Sequence, residues 1–269
     1  MVDQLPNLGR EKEMLEAMGM SSMDDLFADI PEAVRMNGEL PLRGPQSEEE
    51  IIADARRILG ANVALGDRVN FLGAGLNRNY VPASVFQLIT RGEFLTSYTP
   101  YQPEVSQGML QAMWEFQTLI SELVCLEVAN LSVYDGSTAA AEAITCAVRV
   151  HNRKATQKDT IYISELLPPA RISVIENYTQ GGGVIIKTLR HNSDGTLNLE
   201  SLSEAAGSCG IYVEQPNPLG VLDGGLTRVK EIIGEGTAFI VGVSPVSLGL
   251  IEAPGNYGAD IVVGEGQAL

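Results

Sequence analysis

Apolar positions change their rhythm along this chain. Early on, Met14, Leu15 and Met18, and then Leu26, Phe27 and Ile30, recur at helical spacing. Ser22 ahead of Asp24 and Asp25 reads as an N-cap with acids in the first turn. After a Gly- and Pro-rich connector at 36–45, Ser47 precedes Glu48, Glu49 and Glu50, which has the form of a capping box. Ile51, Ile52, Ala55, Ile58 and Leu59 then make an apolar stripe, with Gly60 as its C-cap. The residues up to about 60 are therefore expected to form an acidic helical arm.

Residues 61–269 have a different texture. Met109, Met113, Phe116, Ile120, Leu123 and Leu126 keep a three-to-four period, which predicts a long helix over 110–128, opened by Ser106, Gln107 and Gly108. An Ala-rich stretch predicts a second helix over 138–150. Beyond it, short apolar runs at 161–163, 184–186, 211–213, 238–243 and 261–263 alternate with helical patterns at 170–178, 199–206 and 226–233. Such alternation predicts an α/β fold, a mostly parallel sheet with helices on both faces.

Composition narrows the function. A net charge of −16 opposes binding to nucleic acid or to an anionic membrane surface. No apolar run approaches the roughly 18 residues of a membrane span. Cys125, Cys146 and Cys209 are scattered, with no metal spacing, and the first residues carry no signal core, so a cytoplasmic protein is expected. His151 and His191 are the only histidines, too few for most His-based catalytic centres. Lysines are also few: Lys12, Lys154, Lys158, Lys187 and Lys230. None lies where a Schiff-base lysine would, in a partly buried pocket at a strand end.

Four loops merit weighing. Gly73-Ala74-Gly75 lacks the third glycine of a dinucleotide fingerprint and reads as a tight turn. At 98–104, Pro100 and Pro103 stiffen a loop from which Tyr98, Tyr101, Gln102 and Glu104 project, just ahead of the helix start at Ser106 and Gln107. Either this loop presents groups to an anionic ligand, or its tyrosines pack on the helix. At Asp135-Gly136-Ser137-Thr138, free amides and hydroxyls could cradle a phosphate, or Ser137 and Thr138 could simply cap the Ala-rich helix. Glu214-Gln215-Pro216-Asn217-Pro218 follows a strand, at the carboxyl edge where α/β sheets bind ligands; a plain β–α turn is the other reading.

The run from Phe71 through YTPYQPEVSQG to YDGSTAAAEA resembles the P-protein of the glycine cleavage system, and more closely subunit 1 of its two-subunit form. MSSMDDLFADIPEAVR, EQPNPLG and GNYGADIVVGEGQ extend the resemblance over nearly the whole chain. It implies the large domain of the fold-type-I pyridoxal-phosphate transferases, three-layered with a mostly parallel sheet. It further implies pairing with a homologous subunit 2 that supplies the cofactor lysine. Ala268 stands about where that lysine would be, so pyridoxal phosphate is expected to be held mainly by the partner. The implied reaction is decarboxylation of glycine, with transfer of the aminomethyl group to the lipoyl arm of the H-protein. The implied sites are Tyr98, Tyr101, Gln102 and Glu104 for catalysis. Ser106, Gln107, Asp135, Gly136, Ser137, Thr138 and Asn217 are implied for the cofactor. No metal is implied. Three positions depart from the family pattern: Asn79 replaces a His, Pro168-Pro169 a His-Pro and Ser244-Pro245 an Asp-Pro. Family members are well over half as long again, so a C-terminally truncated subunit lacking the small domain is expected. The alternative is a non-catalytic relative that only binds a partner.

Overall fold

The computed structural model of the chain describes residues 7–36, 38–71, 73, 79–95, 99–153 and 158–269. Two compact units divide at Val69 and Asn70. In the first, α1 (Glu11–Ala17) precedes a 3-10 turn at Met23–Phe27. There the Asp25 carboxylate accepts the Ser21 and Ser22 amides at 2.8 and 3.0 Å. These bonds, with the Ser21 hydroxyl, hold the Asp25 carboxyl down at about 2. The capping box at Ser47 forms as expected: Glu50 accepts the Ser47 amide at 2.8 Å, Ser47 accepts the Glu50 amide at 3.3 Å, and α2 (Glu48–Leu59) follows.

The second unit opens with α3 (Ala83–Ile89), which the apolar pattern did not predict, and α4 (Gln107–Val124). The helix α4 stops earlier than its hydrophobic period suggests. Cys125 enters the left-handed region at φ 55°, and the Leu126 amide turns back to the Ser121 carbonyl at 3.1 Å. The Ala-rich helix α5 (Gly136–Asn152) comes next.

The remaining elements are β1 (Thr160–Ser164), α6 (Pro169–Gln180), β2 (Ile185–Leu189), α7 (Leu199–Leu202), β3 (Gly210–Gln215), α8 (Val229–Ile233), β4 (Ala238–Val243) and β5 (Ile261–Gly264). Two of the predicted helices are short α turns joined to 3-10 turns, at Ser203–Ala205 and Gly224–Arg228.

All strand pairs are parallel, in the order β2-β1-β3-β4-β5. Both sheet faces are covered, as a parallel sheet requires. Residues of β1, β3 and β4 alternate between the two cores. Ile161, Ile163, Tyr212 and Ile240 face the core that includes Ala140, Ala141 and Ile144 of α5 and Ile175 of α6. Ile211, Val213, Phe239 and Val241 face the core built with Leu202, Leu226, Val229 and Ile233. Alanines on α5 let the helix lie close to the sheet; Ala140, Ala141 and Ile144 are fully buried. The order in which strands are added reverses between β1 and β3, and at such a switch the carboxyl ends of the strands frame a crevice. No described helix is long and apolar enough to cross a membrane.

Candidate functional site

At the carboxyl edge of the sheet, Glu265 after β5 and Arg171 of α6, which holds Glu214 of β3, meet the start of α5. The N-cap of α5 is Asp135, not Ser137 or Thr138. Its Oδ1 accepts the Ser137 amide at 2.8 Å and the Thr138 amide at 2.9 Å, and its Oδ2 accepts the Thr138 hydroxyl at 3.0 Å. These bonds, the Thr138 amide foremost, lower the Asp135 pKa. The Gly136 amide donates to Oε2 of Glu265, which follows β5, at 3.0 Å.

Beside this helix start lies a partly buried ionic cluster. Arg171, in the first turn of α6, pairs with Glu214 near the end of β3 and donates to the Ser137 hydroxyl at 3.4 Å. The Tyr212 hydroxyl donates to Glu214 at 2.8 Å. Burial opposes the Arg171 cation, yet the Glu214 carboxylate favours it and its pKa is raised. Burial and the neighbouring Glu214 drive the Tyr212 phenol far above its ordinary pKa, so it is a fixed hydrogen-bond donor.

The other predicted site residues lie apart from this cluster in their bonding. The Asn217 side chain is buried and occupied within its own turn: it accepts the Leu219 and Val221 amides at 3.0 and 3.1 Å and donates to the Gly195 carbonyl at 2.8 Å. Tyr98 lies outside the described residues, as do most of the Gly73-Ala74-Gly75 turn and Lys154. Tyr101 is 87% exposed, and Gln102, Glu104 and Gln107 are exposed as well. A 3-10 turn at Pro103–Val105 leads into α4, and Ser106 caps it without a side-chain bond.

The lysines in view are engaged elsewhere. Lys158 donates to the Gly207 carbonyl, and Lys187 lies 5.6 Å from the Tyr162 ring centre. The Lys230 side chain is 15% exposed and bonds Asp260 at 2.6 Å. Asp260 immediately precedes β5, so Lys230 sits at the opposite edge of the sheet from the crevice. Among the described residues no cluster of His, Cys, Asp or Glu could hold a metal.

A second polar group, missed in the sequence, sits at the ends of β1 and β2. The His191 side chain is 7% exposed, with Nε2 3.4 Å from the Ser164 hydroxyl and Nδ1 3.7 Å from Glu165. Burial lowers the His191 pKa below 6.5, although Glu165 and Asp223 pull it upward. The unfolded chain takes a proton near 6.5, and the folded chain only at lower pH. Stability is therefore greatest above 6.5 and falls as pH drops towards the folded pKa, by at most about 1.4 kcal/mol per pH unit for one proton. Urea melts at pH 7.5 and 5.5 should show a smaller loss for His191→Asn than for the native chain. Equal losses would assign the pH dependence to the carboxylates.

Strand order, layered helices and the crevice at the carboxyl edge are those of the pyridoxal-phosphate-dependent transferase fold. Lactobacillus brevis glutamate decarboxylase shares that fold, with a TM-score of 0.59 at 13% identity over 78% of this chain and 50% of that one. The family itself is defined by sequence: residues 6–269 match the Glycine cleavage system P-protein family, and the chain belongs to it. A Pyrococcus abyssi protein named "Probable glycine dehydrogenase (decarboxylating) subunit 1" is 47% identical over 97% of this chain. A crystal structure of glycine decarboxylase (P-protein) of the glycine cleavage system, in inhibitor-bound form, superposes with a TM-score of 0.78 at 39% identity. It covers 99% of this chain and 59% of that one. The chain spans 58% of the Pyrococcus protein's length.

Proposed function

We propose that this chain acts as subunit 1 of a heteromeric glycine decarboxylase in the cytoplasm. In this reading the reaction releases carbon dioxide from glycine and passes the aminomethyl group to the lipoyl arm of the H-protein. Pyridoxal phosphate would be held mainly by subunit 2 and would supply the electron sink. The observation that carries the reading is the match to the Pyrococcus subunit over 97% of the chain.

This chain's contribution is positional. Tyr101, Gln102 and Glu104 lie on an exposed loop stiffened at Pro100 and Pro103. A rigid exposed loop can present hydroxyl, amide and carboxylate groups to a ligand bound outside its own chain. Lys158 and Lys230 bond the Gly207 carbonyl and Asp260, and Lys187 lies over the Tyr162 ring, which suits a subunit that does not itself anchor the cofactor.

Glycine–bicarbonate exchange tests the reading. Exchange should require this chain, subunit 2 and lipoylated H-protein together. A second reading, a partner-binding relative without catalysis, is favoured by Ser244, where the family pattern has Asp. It predicts a complex on gel filtration without exchange.

A further inference from the structure

The start of α5 is the feature of this chain most suited to a phosphate, and it is already filled by the chain itself. The four amides of its first turn are all engaged. Gly136 donates to the Glu265 carboxylate, Ser137 and Thr138 donate to the Asp135 carboxylate, and Ala139 donates to the Asp135 carbonyl at 2.9 Å. The two carboxylates play different parts. Asp135 is an ordinary cap, formed by the residue that immediately precedes the helix. Glu265 comes from 129 positions away, beyond the last strand, and caps nothing local. Its carboxylate takes the first amide at the positive end of a 17-residue helix, where an external anion would bind.

The surroundings of Gly136 support the same view. A Cβ placed there would meet Glu265 Oε2 at 3.5 Å and the Arg171 Nη2 at 3.6 Å. A carboxylate and a guanidinium therefore face one point on the helix start. The guanidinium and the Gly136 amide complement an anion, and the anion present is Glu265. The donor set does not fit a cofactor phosphate while Glu265 stays: the first amide is taken, and a phosphate would meet a second negative charge.

We propose that Glu265 is a built-in anion that closes the crevice of this chain to phosphate-bearing ligands. The inference rests on the subunit reading only for its biological sense. It concerns binding by this chain alone, so its test is independent of catalytic exchange. The exclusion follows from charge and occupancy. A phosphate entering beside Glu265 would have to displace the carboxylate from the Gly136 amide or share the site with it, and like charges at contact distance are strongly unfavourable.

Pyridoxamine 5′-phosphate is the probe, because its amine cannot form an imine with a stray lysine. Its binding to the full chain is followed by cofactor fluorescence, with inorganic phosphate as competitor. The native chain should bind it weakly or not at all. Glu265→Ala should bind it about tenfold more tightly, within the range of an anion at a helix terminus, and inorganic phosphate should compete. Glu265→Gln removes the charge but keeps an acceptor for the Gly136 amide, so its affinity should fall between the two. It also provides the reading if the alanine variant does not fold, as judged by circular dichroism. Equal affinity of native and variant chains, tight or absent, would overturn the proposal. So would tighter binding that inorganic phosphate does not compete.

Discussion

Replacing Tyr101 by Phe should slow glycine–bicarbonate exchange by about 10- to 1000-fold, the cost of removing a preorganised donor from a reacting centre. The same is expected of Tyr98→Phe. The effect should fall on catalysis and not on folding. Tyr101 is 87% exposed, and its stiff loop is shaped by Pro100 and Pro103, which the substitution leaves in place. Loss of one exposed hydroxyl should move stability by no more than about 0.5 kcal/mol. Exchange is measured with subunit 2 and lipoylated H-protein present, and assembly is followed in parallel by gel filtration. If both Phe variants assemble and exchange at the native rate, the loop takes no part in catalysis.

Much of the architecture could be read from periodicity. All five strands lie where short apolar runs predicted them, and α5 and α6 lie within a few residues of their expected bounds. The two helices are long and each strand contains or adjoins an apolar run, so the pattern is strong. Three of the misses share a physical cause, local backbone choices that override the pattern. At the end of α4, Leu126 and Val128 keep the helical period, but Cys125 turns left-handed and the helix stops. Residues 199–206 and 226–233 carry helical spacing, yet each is a single α turn with a 3-10 extension.

The crevice was legible only in outline. The 135–138 and 214–218 segments stand out in the sequence because loops at strand ends and helix starts bind ligands. What the sequence could not supply was pairing across distance. Glu265 and Gly136 are 129 positions apart, and Arg171 and Glu214 are 43 apart. A capping rule sees four residues, and no periodicity couples positions so far separated. The choice of Asp135 as cap was within reach, because Asp at the position before Gly136 satisfies the same rule as Ser or Thr. His191 gave no signal beyond being one of two histidines.

The largest expected contrast is an all-or-none one. If this chain positions groups for a cofactor anchored by its partner, then none of its lysines should ever carry that cofactor. Lys230 is tied to Asp260 at 2.6 Å on the far edge of the sheet, and Lys187 lies along β2 over Tyr162. Borohydride reduction of the assembled complex loaded with pyridoxal phosphate, followed by peptide mapping, reads this directly. A stoichiometric pyridoxyl-lysine is expected on subunit 2 and none on Lys12, Lys154, Lys158, Lys187 or Lys230. A stoichiometric adduct on Lys187 or Lys230 would contradict that expectation.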